Sequence, residues 1–276
     1  REVARLRRDL LAQVLLNPAQ LPRSHHEPEA RSETETPAPR ARRWVVTFLG
    51  RFRLACDGAV LPPCSSRRGQ SILHVLLSRP DFAALPDELI DCFWPGADSS
   101  AGAHNLQMAI SVLRRTLRDF GPGGDDEAVV YGRGRYRINP AIAIELDVDA
   151  FRTAFERGEE CARAAEHAEA LRAFEAARAC YGGDYLADSP YEAWVAGRRA
   201  SFQRMYLTVL SRLGDYYLRE RDWDGAAECC RDLLEADPYR EDAYRQLMRC
   251  HAASGRMADV QRTYRACRER LREDLR

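Results

Sequence analysis

The segment from residue 44 to residue 62, "WVVTFLGRFRLACDGAVLP", shows the period-two pattern of half-buried β-strands. Its alternating positions fall in two runs: Val45, Thr47 and Leu49, then Phe52 and Leu54. The dipeptide Asp57-Gly58 favours a tight hairpin turn, because both residue types tolerate positive φ. The pattern predicts a small antiparallel sheet at the beginning of a folded domain.

Three segments with the spacing of amphipathic helices follow this sheet. "SSRRGQSILHVLLSRP" begins at Ser65, and either of its first two serines can cap a helix. Its buried stripe is predicted to be Ile72, Leu73, Leu76 and Leu77. "PDELIDCFWPG" begins at Pro86 and predicts a short helix, with acids near its positive end and a proline-glycine stop. The third helix contains "SAGAHNLQMAISVLRRTLRDF", residues 100–120, and has Asp98 or Ser99 as its candidate cap.

A glycine-rich, acidic loop separates the third helix from "AVVYGRGRYRINP", residues 128–140. This last segment predicts two short strands around a glycine-arginine turn. Strands, three helices and a C-terminal hairpin together make a winged helix-turn-helix architecture. We therefore predict a winged-helix domain over residues 44–141.

The chain before this domain divides into two parts. Residues 1–16, "REVARLRRDLLAQVLL", carry apolar residues at helical spacing and predict an amphipathic helix, the end of a missing upstream module. Residues 17–43 contain several prolines, mixed charges and almost no large apolar side chains. Such a composition cannot bury enough surface to offset its ordering entropy, so this part is predicted to be a disordered linker.

Beyond Asp147 the pattern is almost wholly helical and contains a repeat. "RDWDGAAECCRDLLEADP", starting at Arg221, aligns with "GRMADVQRTYRACRERLR", starting at Gly255, at an offset of 34 residues. This period, the position of Trp223 and the closing Pro238 are typical of tetratricopeptide-like helical hairpins. The predicted fold is an α+β winged helix-turn-helix domain followed by an all-α tetratricopeptide-like helical repeat domain over residues 145–276.

The third helix of the winged-helix domain has two different faces on a helical wheel. One is apolar and is predicted to be buried: Leu106, Ala109, Ile110, Leu113 and Leu117. The other is polar: His104, Gln107, Met108, Ser111, Arg115 and Arg118, with Arg114 on its flank. The third helix of a winged-helix fold enters the major groove of DNA. Gln107 and Arg115 can each make two hydrogen bonds to a base edge, and Met108 can contact a thymine methyl group.

A polar helical face can also be simply solvated, and three further observations favour DNA over that reading. No acid stands between Ser99 and Arg118 to oppose the arginines. The hairpin adds Arg133 and Arg135 at its tip. Two more arginines, Arg67 and Arg68, stand where the first helix begins and could contact phosphates. The acids of the domain are expected elsewhere, notably at Asp125, Asp126 and Glu127.

Composition limits the remaining classes of function. A chain of 276 residues, 45% hydrophobic, can form two modest domains, and its 42 basic and 42 acidic residues leave no net charge. Neutrality excludes a histone-like polycation but permits a local basic face. The nine cysteines are odd in number and include no CxxC pair, which indicates reduced thiols in a cytoplasmic protein without a structural metal. No cofactor and no membrane contact are expected, and Cys92 is predicted to lie in the core beside Trp94.

The order of five motifs resembles that of a known family. These are "VTFLGRFRLACDGAVLP", "DELIDCFWPG", "NLQMAISVLRRTLRDF", "GRGRYRINP" and "ELDVDAFRTAFERG". Together they are similar to an OmpR-type DNA-binding domain joined to a bacterial transcriptional activator domain (BTAD), the layout of the Streptomyces antibiotic regulatory protein (SARP) family. The resemblance covers residues 44–275, and the leading helix, the linker and the arginine-rich hairpin tip depart from it.

The resemblance implies an activator that binds double-stranded promoter DNA as side-by-side copies on direct repeats and recruits RNA polymerase holoenzyme. By position it implies a recognition helix and a wing, with these residues: Gln107, Ser111, Arg114, Arg115 and Arg118 on the helix, Arg133 and Arg135 on the wing. It also implies that the segment 94–103, "WPGADSSAGA", is the loop between the second and third helices and can face the polymerase.

Two other classes of function are alternatives to a DNA-binding regulator. A protein-interaction scaffold would use the helical repeats, with a groove lined by aromatic side chains: Tyr185, Trp194, Tyr206, Tyr216, Tyr217 and Tyr244. Aromatic residues at these spacings more often pack between repeats. An enzyme is the weakest reading, because the sequence contains no phosphate-binding glycine loop, no HExxH and no GxSxG motif, and no catalytic residue is predicted.

Overall fold

The structure is a computed structural model that describes residues 43–118, 127–189 and 192–274. The predicted N-terminal helix and linker lie outside these residues, except that Arg43, the last linker residue, belongs to the first strand. The described residues form two compact units. Residues 43–48, 52–118 and 127–146 make up the winged-helix unit, and residues 49–51, 147–189 and 192–274 make up the helical unit.

The winged-helix unit combines two small sheets with three helices. Its elements are β1 (Arg43–Thr47), β2 (Arg53–Cys56), β3 (Ala59–Val60), α1 (Arg67–Ser78), β4 (Ala83–Ala84), α2 (Pro86–Phe93), α3 (Ser99–Arg118), β5 (Val129–Gly132), β6 (Arg135–Ile138) and β7 (Ala143–Leu146). One sheet has the strand order β3-β2-β1-β7, and the other has the order β4-β6-β5.

The antiparallel sheet predicted near the start of the unit is confirmed as β1, β2 and β3. Trp44 pairs with Cys56 across β1 and β2, and the turn residues Asp57 and Gly58 have φ values of 47° and 87°. The strand β7 was not predicted. It runs parallel to β1, with Trp44 opposite Ile144, so the sheet closes with a segment about 100 residues away in the chain.

The three helices begin and end largely where the pattern predicts. Ser66 caps α1, since its hydroxyl oxygen accepts a hydrogen bond from the backbone N–H of Gly69 at 3.0 Å. The predicted stripe of α1 is buried throughout: Ile72, Leu73, Leu76 and Leu77. The segment 94–103 is only partly a loop, because α3 already begins at Ser99. The expectation for Cys92 is wrong: α2 buries Leu89 and Phe93, and its short length leaves Cys92 exposed.

One histidine is part of this core. His74, on α1, is 2% exposed, and its ring centroid lies 4.1 Å from that of Phe52. Within the described residues its Nε2 atom has no hydrogen-bond partner. Burial therefore lowers the pKa of His74 to about 3, so the ring is neutral at physiological pH.

The helical unit is a stack of helical hairpins. Its elements are α4 (Asp147–Arg163), α5 (His167–Cys180), a 3₁₀ turn (Ala193–Val195), α6 (Ala196–Arg219), α7 (Trp223–Ala236), α8 (Glu241–Ala253) and α9 (Met257–Asp274). Each helix packs against the next one along the chain. The first residues of α7 and α9 are 34 positions apart, as the repeat predicts.

The three hairpin turns of this unit share one backbone feature. Ala165, Arg221 and Gly255 each stand two residues before the second helix of a hairpin, and each has a positive φ, of 59°, 60° and 73°. Tight packing also recurs inside the hairpins. At Gly158 of α4, an added Cβ would lie 2.6 Å from the ring of the fully buried Phe174 of α5.

The aromatic residues considered for a peptide groove serve mainly as packing. Tyr185, Tyr216 and Tyr244 are buried, and the other three of the six are half-buried. Tyr185 stacks on the ring of Phe202 at a centroid distance of 5.5 Å. None of the helices in the described part of the chain combines the length and apolarity needed to cross a bilayer.

Candidate nucleic-acid interface

The helix α3 is anchored at its N-terminus by a side-chain cap. The Oδ1 atom of Asp98 accepts hydrogen bonds from the backbone N–H of Ala101 and from the hydroxyl of Ser100, both at 2.8 Å. These bonds, that from Ala101 foremost, lower the pKa of Asp98. The cap is one of the two residues predicted for it, and it fixes the start of a helix of 20 residues.

The two faces of α3 have the exposure that the wheel predicts. Its five predicted core residues and Gly102 are buried. Six side chains of the opposite face are exposed: His104, Gln107, Met108, Ser111, Arg115 and Arg118. Met108 is 56% exposed, which leaves it available for a contact outside the unit. The helix therefore presents one continuous polar face without an acid of its own.

The hairpin of β5 and β6 forms a wing with a strained tip. Arg133 and Gly134 occupy its turn with φ values of 52° and 75°, the backbone of a two-residue type I′ hairpin. Glycine, asparagine and aspartate are the usual residues there, and an arginine with positive φ costs about 1 kcal/mol. The tip thus carries an exposed cation where the local backbone favours another residue.

Two of the predicted DNA-binding arginines are paired with acids. Arg135 lies 3.0 Å from a carboxylate oxygen of Asp81, and Arg114 lies 3.3 Å from one of Glu127. The expectation that the acids of this unit lie away from the arginines is wrong for these two pairs. The reason is that the fold brings residues together that are distant in the chain. Glu127, just before the hairpin, lies beside the C-terminal half of α3, and Arg135 lies beside the turn that follows α1.

The remaining predicted phosphate ligands lie at the start of α1. Arg67 and Arg68 are both exposed. The guanidinium carbon of Arg68 stands 5.7 Å from the centre of the Phe93 ring, a cation–π contact that fixes its direction. Arg67, Arg68, Arg115 and Arg118 have no acidic partner in the described part of the unit, so their charges remain available.

The sequence analysis does not identify two tyrosines of the wing as site residues. Tyr131 and Tyr136 stand opposite each other on β5 and β6, with their rings 4.9 Å apart, and Tyr131 is 57% exposed. Together with Gln107 and Ser111 they line an open cavity of about 630 Å³ between α3 and the hairpin. A two-residue turn at Arg133-Gly134 fixes a strand register in which Tyr131 lies opposite Tyr136. The predicted hairpin is therefore sufficient to predict this pair.

The arrangement can bind a polyanion along one side. A polar helical face, an exposed cation at a hairpin tip and a row of hydrogen-bond donors are the features by which a winged helix contacts bases and phosphates. Within the described residues no group of three or more His, Cys, Asp or Glu side chains could hold a metal ion.

Comparisons with known proteins give the helical unit a family. Residues 146–276 match the family described as bacterial transcriptional activator domain. Over 237 residues the chain is 26% identical to the transcriptional regulatory protein MoaR1 of Mycobacterium bovis (strain BCG / Pasteur 1173P2), covering 82% of this chain and 72% of that protein. It is 25% identical to MoaR1 of Mycobacterium tuberculosis (strain ATCC 25618 / H37Rv) over 227 residues, with the same coverage.

A solved structure shares the fold. The chain matches Mycobacterium tuberculosis EmbR, determined in complex with a low affinity phosphopeptide, with a TM-score of 0.63 and 21% identity. The match covers 85% of this chain and 61% of the EmbR chain, so the chain spans less than two thirds of that protein. The relatives identified by sequence are transcriptional regulatory proteins. Residues 146–276 therefore match the bacterial transcriptional activator domain, and the chain as a whole is similar to transcriptional regulators.

Proposed function

We propose that this regulator binds specific sequences in double-stranded promoter DNA through its winged-helix unit. In this proposal α3 lies in the major groove and the β5–β6 hairpin contacts the backbone beside it. The observation that carries the proposal is the exposed, acid-free face of α3 next to an arginine-tipped hairpin. Arg67 and Arg68 would add phosphate contacts at the start of α1.

Base recognition is assigned to the side chains at the centre of the α3 face. Gln107 and Arg115 can each bind a base edge with two hydrogen bonds, and Met108 can pack on a thymine methyl group. Ser111 is short enough to let a base edge approach the helix, while His104 and Arg118 stand nearer its ends. The arginines would supply most of the salt-dependent affinity, and the central residues most of the sequence preference.

The Arg115→Ala variant tests this proposal. Arg115 is exposed, so its removal should leave the unit folded while weakening binding to the preferred site by about 1–3 kcal/mol, which is roughly fivefold to 150-fold. The matched control is Arg265→Ala, which removes an exposed arginine from α9 of the helical unit. The parent protein and both variants would be tested by footprinting on the region upstream of the gene that encodes the parent.

Preference for one site over random duplex at moderate salt is the decisive measurement. Protection of a defined site by the parent and the control, with loss of preference in Arg115→Ala, supports the proposal. Equal affinity of the parent for its upstream region and for random duplex would contradict sequence-specific binding.

Activation is a further part of the proposal. We infer that the protein binds promoters with direct repeats as adjacent copies and recruits RNA polymerase holoenzyme, in the cytoplasm and without catalysis of its own. The family description of residues 146–276 and the regulator relatives support this part. The loop that ends at Asp98 is the segment proposed to face the polymerase. In vitro transcription from the protected promoter tests it, and unchanged transcript yield on adding the protein would contradict it.

The scaffold alternative has less support than DNA binding. Its groove was to be lined by six aromatic side chains, of which three are buried and three are half-buried in the helical unit. A shift of DNA mobility that disappears when Arg133 is replaced by alanine would count against a scaffold with an inert winged helix.

A further inference from the structure

The side chain of Arg114, on α3, reaches the base of the β5–β6 hairpin. Its Nε donates a hydrogen bond to the carbonyl oxygen of Val129 at 2.9 Å, and its Nη2 lies 3.3 Å from Oε2 of Glu127. The side chain is 26% exposed, whereas the next residue, Arg115, is among the exposed ones. One guanidinium group thus connects the C-terminal half of α3 to the base of the hairpin.

The Val129 carbonyl is a group that the sheet itself leaves without a partner. The strand β5 is at the edge of its sheet, in the order β4-β6-β5. The backbone N–H of Asn139 donates to the carbonyl of Ala128 at 2.9 Å, so in antiparallel pairing the next carbonyl, that of Val129, points away from β6. Among the described residues, Arg114 supplies the donor for this carbonyl.

These contacts make Arg114 a poor ligand for a DNA phosphate. Its charge already faces the carboxylate of Glu127, and binding a phosphate would require it to release the Val129 carbonyl. Leaving a partly buried acceptor without a donor is unfavourable. The same geometry is well suited to another task, because a planar guanidinium with two fixed contacts restrains the elements it joins.

We propose that Arg114 is a positioning residue that fixes the hairpin against α3, so that Arg133 and the exposed face of α3 contact one duplex at the same time. This inference rests on the proposed DNA binding. When two contact surfaces are held rigidly, the second contact forms at a high effective concentration after the first. When the link between them is loosened, the wing loses conformational entropy on binding and contributes less to the affinity for DNA.

The Glu127→Gln variant separates positioning from direct contact by the sign of its effect. If Arg114 bound a phosphate, Glu127→Gln would free its charge and remove an acid near the DNA, and affinity would rise. If Arg114 positions the hairpin, the variant weakens the link and affinity falls, by about threefold to tenfold. The matched control is Glu88→Gln, which removes the acid that lies 3.4 Å from Arg79 and should leave affinity unchanged within about twofold.

The conservative variant Arg114→Lys provides a second distinction. Lysine keeps the positive charge but lacks the planar fork that reaches both the Val129 carbonyl and Glu127. We expect Arg114→Lys to bind as weakly as Arg114→Gln. Parental affinity of Arg114→Lys would show that only the charge matters and would overturn the proposal.

A double-mutant cycle between Arg114 and Arg133 measures the coupling directly. Arg133→Ala should weaken DNA binding of the parent by about fivefold, through loss of one cationic contact, and by less than about twofold in the Arg114→Gln background. Independent effects that multiply in the double variant would overturn the proposal. Hydrogen exchange of the full chain without DNA should show faster exchange in residues 129–138 of Arg114→Gln and unchanged exchange in α1.

The DNA for these measurements is the site that the parent protein protects in footprinting. If the parent protects none, the proposed function fails, and this inference fails with it. If the parent protects a site and Glu127→Gln tightens binding, only the role of Arg114 is overturned, and DNA binding by the winged-helix unit stands.

Discussion

We expect the buried histidine of α1 to make the winged-helix unit less stable in mild acid. His74 is 2% exposed and has no partner for its Nε2 atom in the described part of the chain. Its pKa is lowered from 6.5 to about 3 by burial alone, so the folded unit keeps the ring neutral. The unfolded chain binds a proton near pH 6.5, whereas the folded unit does so only near pH 3.

The sign of the effect follows from this difference in proton binding. Above the unfolded pKa of 6.5 neither state is protonated at His74, and the residue gives no pH dependence. As the pH falls below 6.5 the unfolded state gains a proton that the folded state excludes, so stability decreases until the pH reaches about 3. Between pH 7 and pH 5 this amounts to a loss of about 2 kcal/mol of unfolding free energy.

The variant His74→Leu should remove this loss. Leucine is close in volume to histidine, is apolar like the surrounding core and does not titrate. The free energy of opening of α1 can be followed in the full chain by hydrogen exchange with mass spectrometry, after correction for the intrinsic exchange rate at each pH. The parent should lose about 2 kcal/mol more than His74→Leu between pH 7 and pH 5.

The matched control is His104→Gln, which removes a histidine from the exposed face of α3 and leaves His74 in place. It should retain the parental loss. The reasoning is refuted if the parent and His74→Leu lose the same free energy over this interval, because the acid sensitivity would then arise elsewhere.

Two substitutions test the backbone and packing at other positions. Replacing Arg133 by Asn, which tolerates positive φ, should raise the midpoint of thermal unfolding. It should also reduce the magnitude of the negative slope of log affinity for DNA against log salt concentration by about 0.9. A slope equal to that of the parent protein would exclude a phosphate contact by Arg133. Gly158→Ala should destabilise the helical unit by about 1–3 kcal/mol in urea titrations, because its Cβ meets the buried Phe174 ring. The control is Gly197→Ala, where no atom of another described segment lies within 4 Å of the added Cβ. It should be neutral or stabilising, and equal effects of the two substitutions would contradict the packing argument.

Local rules account for much of the fold. The serine cap of α1, the Asp57-Gly58 turn and the two faces of α3 depend on residues close together in the chain, and the sequence pattern predicts all three. The repeat of 34 residues likewise predicts two helical hairpins, one formed by α6 and α7 and the other by α8 and α9. In such repeats each hairpin buries its apolar face against a neighbouring hairpin of similar sequence.

The features that the pattern does not reveal depend on distant partners. The strand β7 has four residues and pairs with β1 only because the intervening chain returns there. The partners of Arg114 and Arg135 lie 13 and 54 positions away in the chain, so no local rule could distinguish these two arginines from Arg115, which has no acidic partner among the described residues. The burial of His74 follows from its place on α1, but the cost of keeping it neutral appears only when its surroundings are known.

The shared turns of the helical unit have a consequence for how its sequence can change. Ala165 and Arg221 adopt the left-handed backbone that glycine adopts freely at Gly255. Since an alanine and an arginine hold this conformation in the folded unit, we expect a mutation at such a turn to alter stability by about 1 kcal/mol without moving the helices. Related domains can therefore differ in sequence at these turns while keeping the same helix packing, and a comparison of turn sequences alone would understate how closely two such domains are related.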